Sequence, residues 1–155
     1  MDFQIVLPGK TIAGKGAISR AGLEKYGRKP LIVTGKYTAR SAAAAELLKY
    51  TPGVVFDGIT GEPTVEMINA GVAAFHENSC DYVIGIGGGS ALDSAKAIAA
   101  MSALGGNIAD YMGRDIDGEF PHMVLIPTTA GTGSEATKFT IITDTEKNIK
   151  MLLRG

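Results

Sequence analysis

The sequence predicts an α/β fold, an open parallel sheet with helices on both faces and a short β-hairpin at the N-terminus. Short apolar runs rich in β-branched residues, such as residues 30–34 and 81–86, are typical of strands that are buried on both faces. Segments with apolar residues at helical spacing follow these runs, so strand and helix alternate along the chain. This order calls for right-handed crossovers and a Rossmann-like parallel sheet, whose ligand crevice lies at the carboxyl ends of the strands.

The first half of the chain begins with the predicted hairpin and continues as alternating helices and strands. Pro8 and Gly9 are turn residues between two short strand-like runs. Gly35 follows an apolar run and ends its strand, and Thr64 is suited to cap a helix. The predicted elements are strands at 3–6 and 11–13, a helix at about 17–26, a strand at 30–34, a helix at about 38–50, a strand at 54–56 and a helix at about 64–78.

The second half is organised around residues 81–101, whose pattern predicts a strand, a glycine turn and a helix. Ser90 and Asp93 match the S-x-x-D pattern of a helix N-terminus, and apolar residues follow them at helical spacing. Pro127 stops the next apolar run. The predicted elements are a strand at 81–86, a helix from 90 to about 104, a loop at 105–119, a strand at 122–126 and a hairpin of strands at 139–142 and 147–153.

Composition limits the class of protein. The chain has 155 residues, of which 45% are hydrophobic and 20% are charged, as in an ordinary globular domain. A formal net charge of −1 argues against nucleic acid as a partner. The single cysteine, Cys80, cannot form an internal disulfide. No run is long enough to span a membrane and the start lacks a signal-peptide pattern, so we expect no membrane partner and a cytoplasmic location.

The glycine turn between strand and helix predicts a phosphate site. Gly87, Gly88 and Gly89 lack a Cβ, so a ligand can approach the backbone closely. The helix that follows offers unpaired N–H groups and the positive end of its dipole, and Ser90 adds a hydroxyl. A phosphate or pyrophosphate suits this arrangement. The alternative is that the glycines only make a tight turn.

A second segment rich in small polar residues follows the next predicted strand. Residues 127–137, with the sequence PTTAGTGSEAT, carry hydroxyl groups on Thr128, Thr129, Thr132 and Ser134. Such groups on a glycine-rich loop suit ribose, phosphate and carboxamide, although a loop of this composition is otherwise a solvated turn.

The string G-G-G-S-x-x-D-x-A-K at 87–96 and the string at 127–137, in this order, resemble the motifs of the iron-containing (group III) alcohol dehydrogenase family. Its relatives include glycerol dehydrogenases and, more distantly, dehydroquinate synthases. The resemblance implies a dinucleotide-binding domain over residues 1–155, with cofactor contacts from the glycine turn, from Thr128, Thr129 and Thr132, and from Lys150 at the ribose. It also places Asp93 near the nicotinamide end, although Asp93 could simply pair with Lys96 at i,i+3.

The residues after the strand at 30–34 predict which cofactor is preferred. An acidic residue at such a strand end bonds the ribose 2′-hydroxyl and repels a 2′-phosphate. The family resemblance implies aspartate there in NAD users and glycine in NADP users, and this chain has Gly35 followed by Lys36. We therefore expect NADP(H) to be preferred over NAD(H). Alternatively, Gly35 only ends the strand and Lys36 is a solvated charge.

The resemblance also implies what the longer family members do. They transfer a hydride between NAD(P)(H) and a small alcohol or aldehyde, with iron or zinc held by an aspartate and three histidines of a second, helical domain. His76 and His122 are the only histidines of this chain and lack partners at metal-site spacing. We therefore expect this chain to be the cofactor-binding half of such an enzyme, inactive alone, with a homodimer contact at its N-terminal strands.

Two alternatives remain open: a stand-alone nucleotide-binding module without catalysis, and a relative of glycerol dehydrogenase or dehydroquinate synthase. Glu62 departs from the family, which often has asparagine before P-T. An ionised glutamate beside a phosphate is unfavourable, which weakens the case for a cofactor contact from its loop.

Overall fold

The computed structural model describes residues 9–155 and has a four-stranded parallel sheet at its centre. The strands are β1 (Pro30–Val33), β2 (Val54–Phe56), β3 (Tyr82–Gly87) and β4 (Met123–Pro127), in the spatial order β2-β1-β3-β4. Each adjacent pair is parallel. A separate antiparallel hairpin consists of β5 (Phe139–Asp144) and β6 (Ile149–Arg154). The predicted fold class and the predicted hairpin after residue 138 are confirmed.

Helices cover both faces of the sheet, as predicted. They are α1 (Lys36–Ala39), α2 (Ala42–Tyr50), α3 (Val65–Glu77) and α4 (Gly89–Leu104), with 3₁₀ turns at Leu23–Lys25 and Ile108–Tyr111. On one face, Ile68 of α3 and Ile98 of α4 pack in a core cluster with Val83. On the other face, Leu47 of α2 packs in a cluster with Ile84. None of the helices in residues 9–155 is long and apolar enough to cross a membrane.

The central strand β3 fixes the position of α4. Every residue of β3 is buried, so its apolar side chains are removed from water on both faces. A Cβ added to Gly85 would lie 2.7 Å from the Cβ of Ala95. Because glycine at this position lets α4 pack closely on β3, the N-terminus of α4 comes directly above the end of that strand.

Two predicted elements near the N-terminus are wrong, and a third lies outside the described residues. No strand forms at 11–13, whereas the strand predicted at 3–6 belongs to the undescribed part. Residues 17–26 do not form an α-helix but a series of turns and the short 3₁₀ turn. Gly16 and Gly22 take φ values of +71° and +64°, which a right-handed helix does not accommodate. Gly22 therefore divides the segment, and Gly16 lies directly before it.

The helix predicted at 38–50 is divided into α1 and α2 by Ser41. Ser41 is extended, and its hydroxyl accepts a hydrogen bond from the Ala44 amide at 3.2 Å. The next predicted cap is confirmed, because the Thr64 hydroxyl accepts from the Met67 amide at 3.4 Å at the start of α3. Serine and threonine compete with the helix backbone in this way and so begin new helices.

Candidate functional site

A cleft of about 260 Å³ opens where β1 and β3 end. It brings together Gly35 and the glycine turn, two separate predictions from the sequence. The lining residues are Gly35, Thr38, Ile59, Thr60, Gly61, Gly87, Gly88, Gly89, Ser90 and Ala91. Its position at the carboxyl ends of parallel strands is where open α/β sheets bind their ligands.

Buried hydrogen bonds hold the strand ends that form this cleft. The hydroxyl of Thr34, which is fully buried, donates to the carbonyl of Ile86 at 2.7 Å. The Thr34 amide donates to the carbonyl of Phe56 at 3.0 Å. The ends of β1, β2 and β3 are thus joined directly, so Gly35 and the glycine turn have a fixed separation before any ligand arrives.

The glycines of the turn differ in what requires them. Gly87 has φ +150°, and an added Cβ would lie 2.8 Å from the Cβ of Ala91, so the fold itself needs glycine there. Gly88 has φ −78°, and its Cβ would meet Thr129 Oγ1 at an ordinary 3.5 Å. The fold accepts a side chain at Gly88, so the physical reasons for glycine there are its preference at a helix N-cap and the close approach of a ligand.

The start of α4 supplies donors for an anion. Gly88 is the N-cap and has no side chain to offer the first amides, and the amides of Gly89 and Ser90 cannot find partners within the helix. A helix of 16 residues also places positive dipole charge at this point. The cleft is therefore chemically suited to a phosphate or pyrophosphate.

Ser90 is not the N-cap that its S-x-x-D pattern predicted. It lies within the first turn of α4, where its carbonyl accepts from the Ser94 hydroxyl at 2.8 Å, and it lines the cleft. The turn that leaves β3 ends at Gly88, so α4 begins before Ser90. The predicted contact of Ser90 with a ligand stays a prediction.

The threonine loop, residues 128–137, lies against the glycine turn. The amide of Thr128 donates to the carbonyl of Gly87 at 2.9 Å. Thr129 is the nearest neighbour of a Cβ added to Gly88, and Thr132 Cγ2 would lie 3.0 Å from one added to Gly89. Because β3 lies between β1 and β4, Gly35 and the threonine loop flank the turn on opposite sides.

Asp93 lies away from the cleft lining and bonds to the hairpin. Its Oδ1 is 2.9 Å from Lys96 Nζ, the i,i+3 pair weighed from the sequence. Its Oδ2 accepts from the Ile141 amide at 3.2 Å, and its carbonyl accepts from the Thr140 hydroxyl at 2.8 Å. These contacts account for Asp93 structurally, and its role near nicotinamide stays a prediction.

The lysines predicted to contact the cofactor lie outside the cleft lining. Lys36 is exposed next to Gly35. Lys150 Nζ lies 2.6 Å from Glu62 Oε1, with both side chains exposed. Glu62 follows Gly61, which does line the cleft, so Lys150 is near the site but already paired.

The loop after β2 is the part of the cleft that sequence reasoning missed. Ile59, Thr60 and Gly61 line it, together with Thr38 of α1. The topology of the sheet points to this loop, because β1 and β2 are parallel neighbours and their carboxyl ends lie side by side.

The residues that could ligate a metal do not cluster. Within residues 9–155, no group of three or more His, Cys, Asp or Glu side chains could hold a metal ion. His122 packs edge-on against Tyr26, with ring centroids 5.8 Å apart, and His76 packs against Phe75 at 5.6 Å. Burial raises the pKa of the Cys80 thiol, as expected for a small apolar core residue.

Comparisons with known proteins agree with this geometry. The sequence profile of the family described as iron-containing alcohol dehydrogenase matches residues 8–155. The NAD-dependent methanol dehydrogenase of Bacillus methanolicus is 35% identical over 154 residues, covering 94% of this chain and 40% of that protein. Alcohol dehydrogenase 4 of Schizosaccharomyces pombe is 46% identical over 101 residues, covering 64% of this chain and 24% of that protein.

Solved structures give the same result. A 1,3-propanediol oxidoreductase superposes with a TM-score of 0.94 at 30% identity, covering 100% of this chain and 43% of that one. The sulfoacetaldehyde reductase of Bifidobacterium kashiwanohense, in complex with NAD+, superposes with a TM-score of 0.89 at 28% identity, covering 100% and 43%. The chain thus spans less than half the length of the relatives it matches.

Proposed function

The chain belongs to the iron-containing alcohol dehydrogenase family, and from that membership we propose that it is the dinucleotide-binding domain of an NAD(P)(H)-dependent alcohol dehydrogenase or aldehyde reductase. The observation that carries the proposal is Gly88, a glycine that φ −78° and an open Cβ position do not require. It lines the cleft at the start of α4, where a pyrophosphate would accept hydrogen bonds from free amides.

The order of the strands supports a separate role for the glycine turn, for Gly35 and for the threonine loop. The glycine turn and the first amides of α4 bind the pyrophosphate. Gly35, at the end of β1, lies on the adenosine side. The threonine loop after β4 lies on the opposite side, where the hydroxyls of Thr129 and Thr132 orient the nicotinamide nucleoside. The bound cofactor supplies the chemistry, accepting or giving a hydride at its nicotinamide ring.

The substrate class follows from the relatives and not from this cleft. Methanol and 1,3-propanediol, in the names of two relatives, are small primary alcohols, which supports a small alcohol or aldehyde for the enzyme to which this domain belongs. Iron or zinc would polarise the substrate oxygen in such an enzyme. The described residues do not fit a metal, so we assign no metal-dependent step to this chain.

Gly35 supports a preference for NADP(H). It offers no carboxylate to repel a 2′-phosphate, and the exposed Lys36 beside it could neutralise one. Two relatives argue for NAD, since one is named NAD-dependent and another was solved with NAD+. We propose the NADP(H) preference because it rests on residues of this chain.

A stand-alone nucleotide-binding module is the second candidate. Both candidates require dinucleotide binding, and only the first requires hydride transfer when the remaining domain is supplied. The threonine loop favours the alcohol dehydrogenase branch over a dehydroquinate synthase-like relative. The homodimer and the cytoplasmic location stay predictions.

Calorimetric titration of the purified chain with NADH and NADPH tests the proposal. We expect saturable binding with one site per chain and tighter binding of NADPH. A matched control is Gly9→Val, because a Cβ added to Gly9 meets no atom of residues 9–155 within 4 Å and Gly9 lies outside the cleft lining. This variant should bind like the unmodified chain. Absence of binding for both dinucleotides would refute the proposal.

A further inference from the structure

We propose that Lys96 is a positioning residue that holds the threonine loop against the glycine turn and thereby sets the affinity for the nicotinamide half of the cofactor. The inference rests on the proposed function. Lys96 lies on α4, about one and a half turns beyond the cleft, and is not among the residues that line it. It therefore acts through the loop and not on the ligand.

The Lys96 ammonium group binds the end of the threonine loop. Its Nζ donates to the carbonyl of Ser134 at 2.9 Å and to that of Thr137 at 3.4 Å. It also donates to the carbonyl of Phe139, the first residue of β5. One side chain thus collects backbone carbonyls from the loop and from the strand that follows it, each of which would otherwise need another donor.

The charge on Lys96 is compensated where it lies. Its side chain is 11% exposed and that of Asp93 is 14% exposed, with Nζ and Oδ1 at 2.9 Å. Asp93 in turn accepts from the Ile141 amide. An ammonium group so far removed from water is stable only with these partners, and removing it leaves the Asp93 carboxylate without its counter-ion.

The loop is fixed at its other end by the glycine turn itself, through the hydrogen bond from the Thr128 amide to the Gly87 carbonyl at 2.9 Å. Between these two anchors lie Thr129 and Thr132, which contact the space beside Gly88 and Gly89. Within residues 129–133, the Gly133 carbonyl accepts from the amides of Ala136 and Thr137, and the Thr132 hydroxyl accepts from the Ser134 amide at 3.3 Å. These bonds lie within the loop and do not attach it to the sheet. The placement of the threonine hydroxyls therefore depends on both anchors.

The sheet order gives the inference a specific signature. Gly35 lies on the β1 side of the turn and the threonine loop on the β4 side. Loosening the loop should lower the affinity for ligands that extend to the β4 side. The affinity for ligands that occupy only the β1 side should not change. A general loss of folding would weaken both kinds of ligand equally.

The test compares NADH with AMP in Lys96→Met and Lys96→Arg. We expect Lys96→Met to lower the affinity for NADH about tenfold or more and to leave AMP within about twofold, with Lys96→Arg restoring part of the loss. Amide hydrogen exchange in residues 128–137 should become faster in Lys96→Met without ligand, while exchange in β3 stays unchanged. Should Lys96→Met not fold, Asp93→Asn/Lys96→Met, which leaves no carboxylate unpaired, is compared with Asp93→Asn alone, because Asp93 is itself a predicted contact near the nicotinamide.

The outcomes separate this inference from the proposed function. An unmodified chain that binds neither NADH nor AMP refutes the proposed function, and the exchange rates then still report whether Lys96 holds the loop. Equal loss of NADH and AMP affinity, or unchanged exchange in residues 128–137, overturns the role of Lys96. Unchanged NADH affinity in a folded Lys96→Met protein overturns it as well.

Discussion

Lys150 and Glu62 form an ion pair, with Nζ and Oε1 2.6 Å apart, that joins the hairpin β5–β6 to the loop after β2. The Thr143 amide strengthens this junction by donating to the carbonyl of Pro63 at 2.8 Å. The loop concerned includes Gly61, which lines the cleft. A dinucleotide that contacts Lys150 would therefore compete with Glu62 for its ammonium group.

Glu62→Gln should raise the affinity for the dinucleotide by about two- to fivefold, because Lys150 no longer has to leave a carboxylate. The exposed pair contributes little to stability, so the free energy of unfolding should change by less than about 1 kcal/mol. Calorimetric titration and urea denaturation measure the two quantities. Lys150→Met is the matched variant, and it should lower the affinity. Equal affinities in all three proteins would remove Lys150 from the site.

Gly87 and Gly88 should respond differently to substitution. Gly87→Ala should destabilise the protein by about 1–3 kcal/mol, because φ is +150° and the new Cβ would lie 2.8 Å from that of Ala91. Gly88→Ala should lower the free energy of unfolding by about 1 kcal/mol or less, which is the difference between glycine and alanine at an N-cap.

The affinity for the dinucleotide should fall more in the Gly88 variants than in Gly87→Ala. Folded Gly88→Ala and the bulkier Gly88→Val should bind the dinucleotide at least about tenfold more weakly, roughly 1.4 kcal/mol, since a side chain would occupy the space beside the turn. Thermal unfolding and titration on the same samples separate the two effects. Undiminished affinity in folded Gly88→Val would mean that the glycine motif is only a turn.

Gly35→Asp should shift the preference from NADP(H) toward NAD(H), because a carboxylate at the end of β1 repels a 2′-phosphate. The new Cβ would lie 3.0 Å from the carbonyl of Ile59, so a small adjustment of that loop accompanies the change. Gly35→Asn has the same size without the charge and serves as the control. The ratio of NADPH to NADH affinity is the measurement, and the same ratio in the Asp and Asn variants would contradict the electrostatic explanation.

Asp81 should make stability depend on pH in acid. Burial alone would raise the pKa of Asp81, but hydrogen bonds from the amides of Arg28 and Lys29, each reaching 2.8 Å, outweigh it and lower the pKa below its ordinary value of 3.8. A lowered folded-state pKa means that its stabilisation is complete above 3.8 and is lost as pH falls through the folded value.

The matched variant is Asp81→Asn, which should lose about 0.5–1 kcal/mol at pH 7, because the carboxylate is exposed and its bonds are partly screened. Its stability should fall less steeply than that of the unmodified chain below pH 3.8. Urea denaturation at a series of pH values measures both slopes. Parallel curves would show that the Asp81 hydrogen bonds do not couple to folding.

The sequence predicted the parts of the fold that local pattern determines. Apolar periodicity predicted the strand and the helix at 81–104, and the run of glycines between them predicted the turn. Gly87 in that turn has φ +150°. The helix predicted at 17–26 failed because Gly22, within that range, adopts a left-handed conformation that periodicity does not reveal. Ser90 was misassigned as the cap because the turn already ends at Gly88.

The candidate site was predicted in part for a related reason. Gly35 and the glycine turn each follow their own strand, so each could be recognised locally, and parallel pairing of β1 with β3 then brought them together. Thr60 and the Glu62–Lys150 pair depend on contacts between segments far apart in the chain. Such contacts cannot be predicted from the spacing of residues along the sequence.

The proposed binding of a dinucleotide at the glycine turn is best tested by amide chemical-shift mapping of the isotope-labelled chain during titration with NADPH. The shifts report where the dinucleotide binds. We expect the largest shifts at Gly88, Gly89 and Ser90, with smaller shifts at Gly35 on one side and Thr129 on the other. The same titration of Gly88→Val should show little change at saturating concentrations for the unmodified chain. Shifts confined to residues outside the cleft, or none at the glycine turn, would contradict dinucleotide binding at this turn.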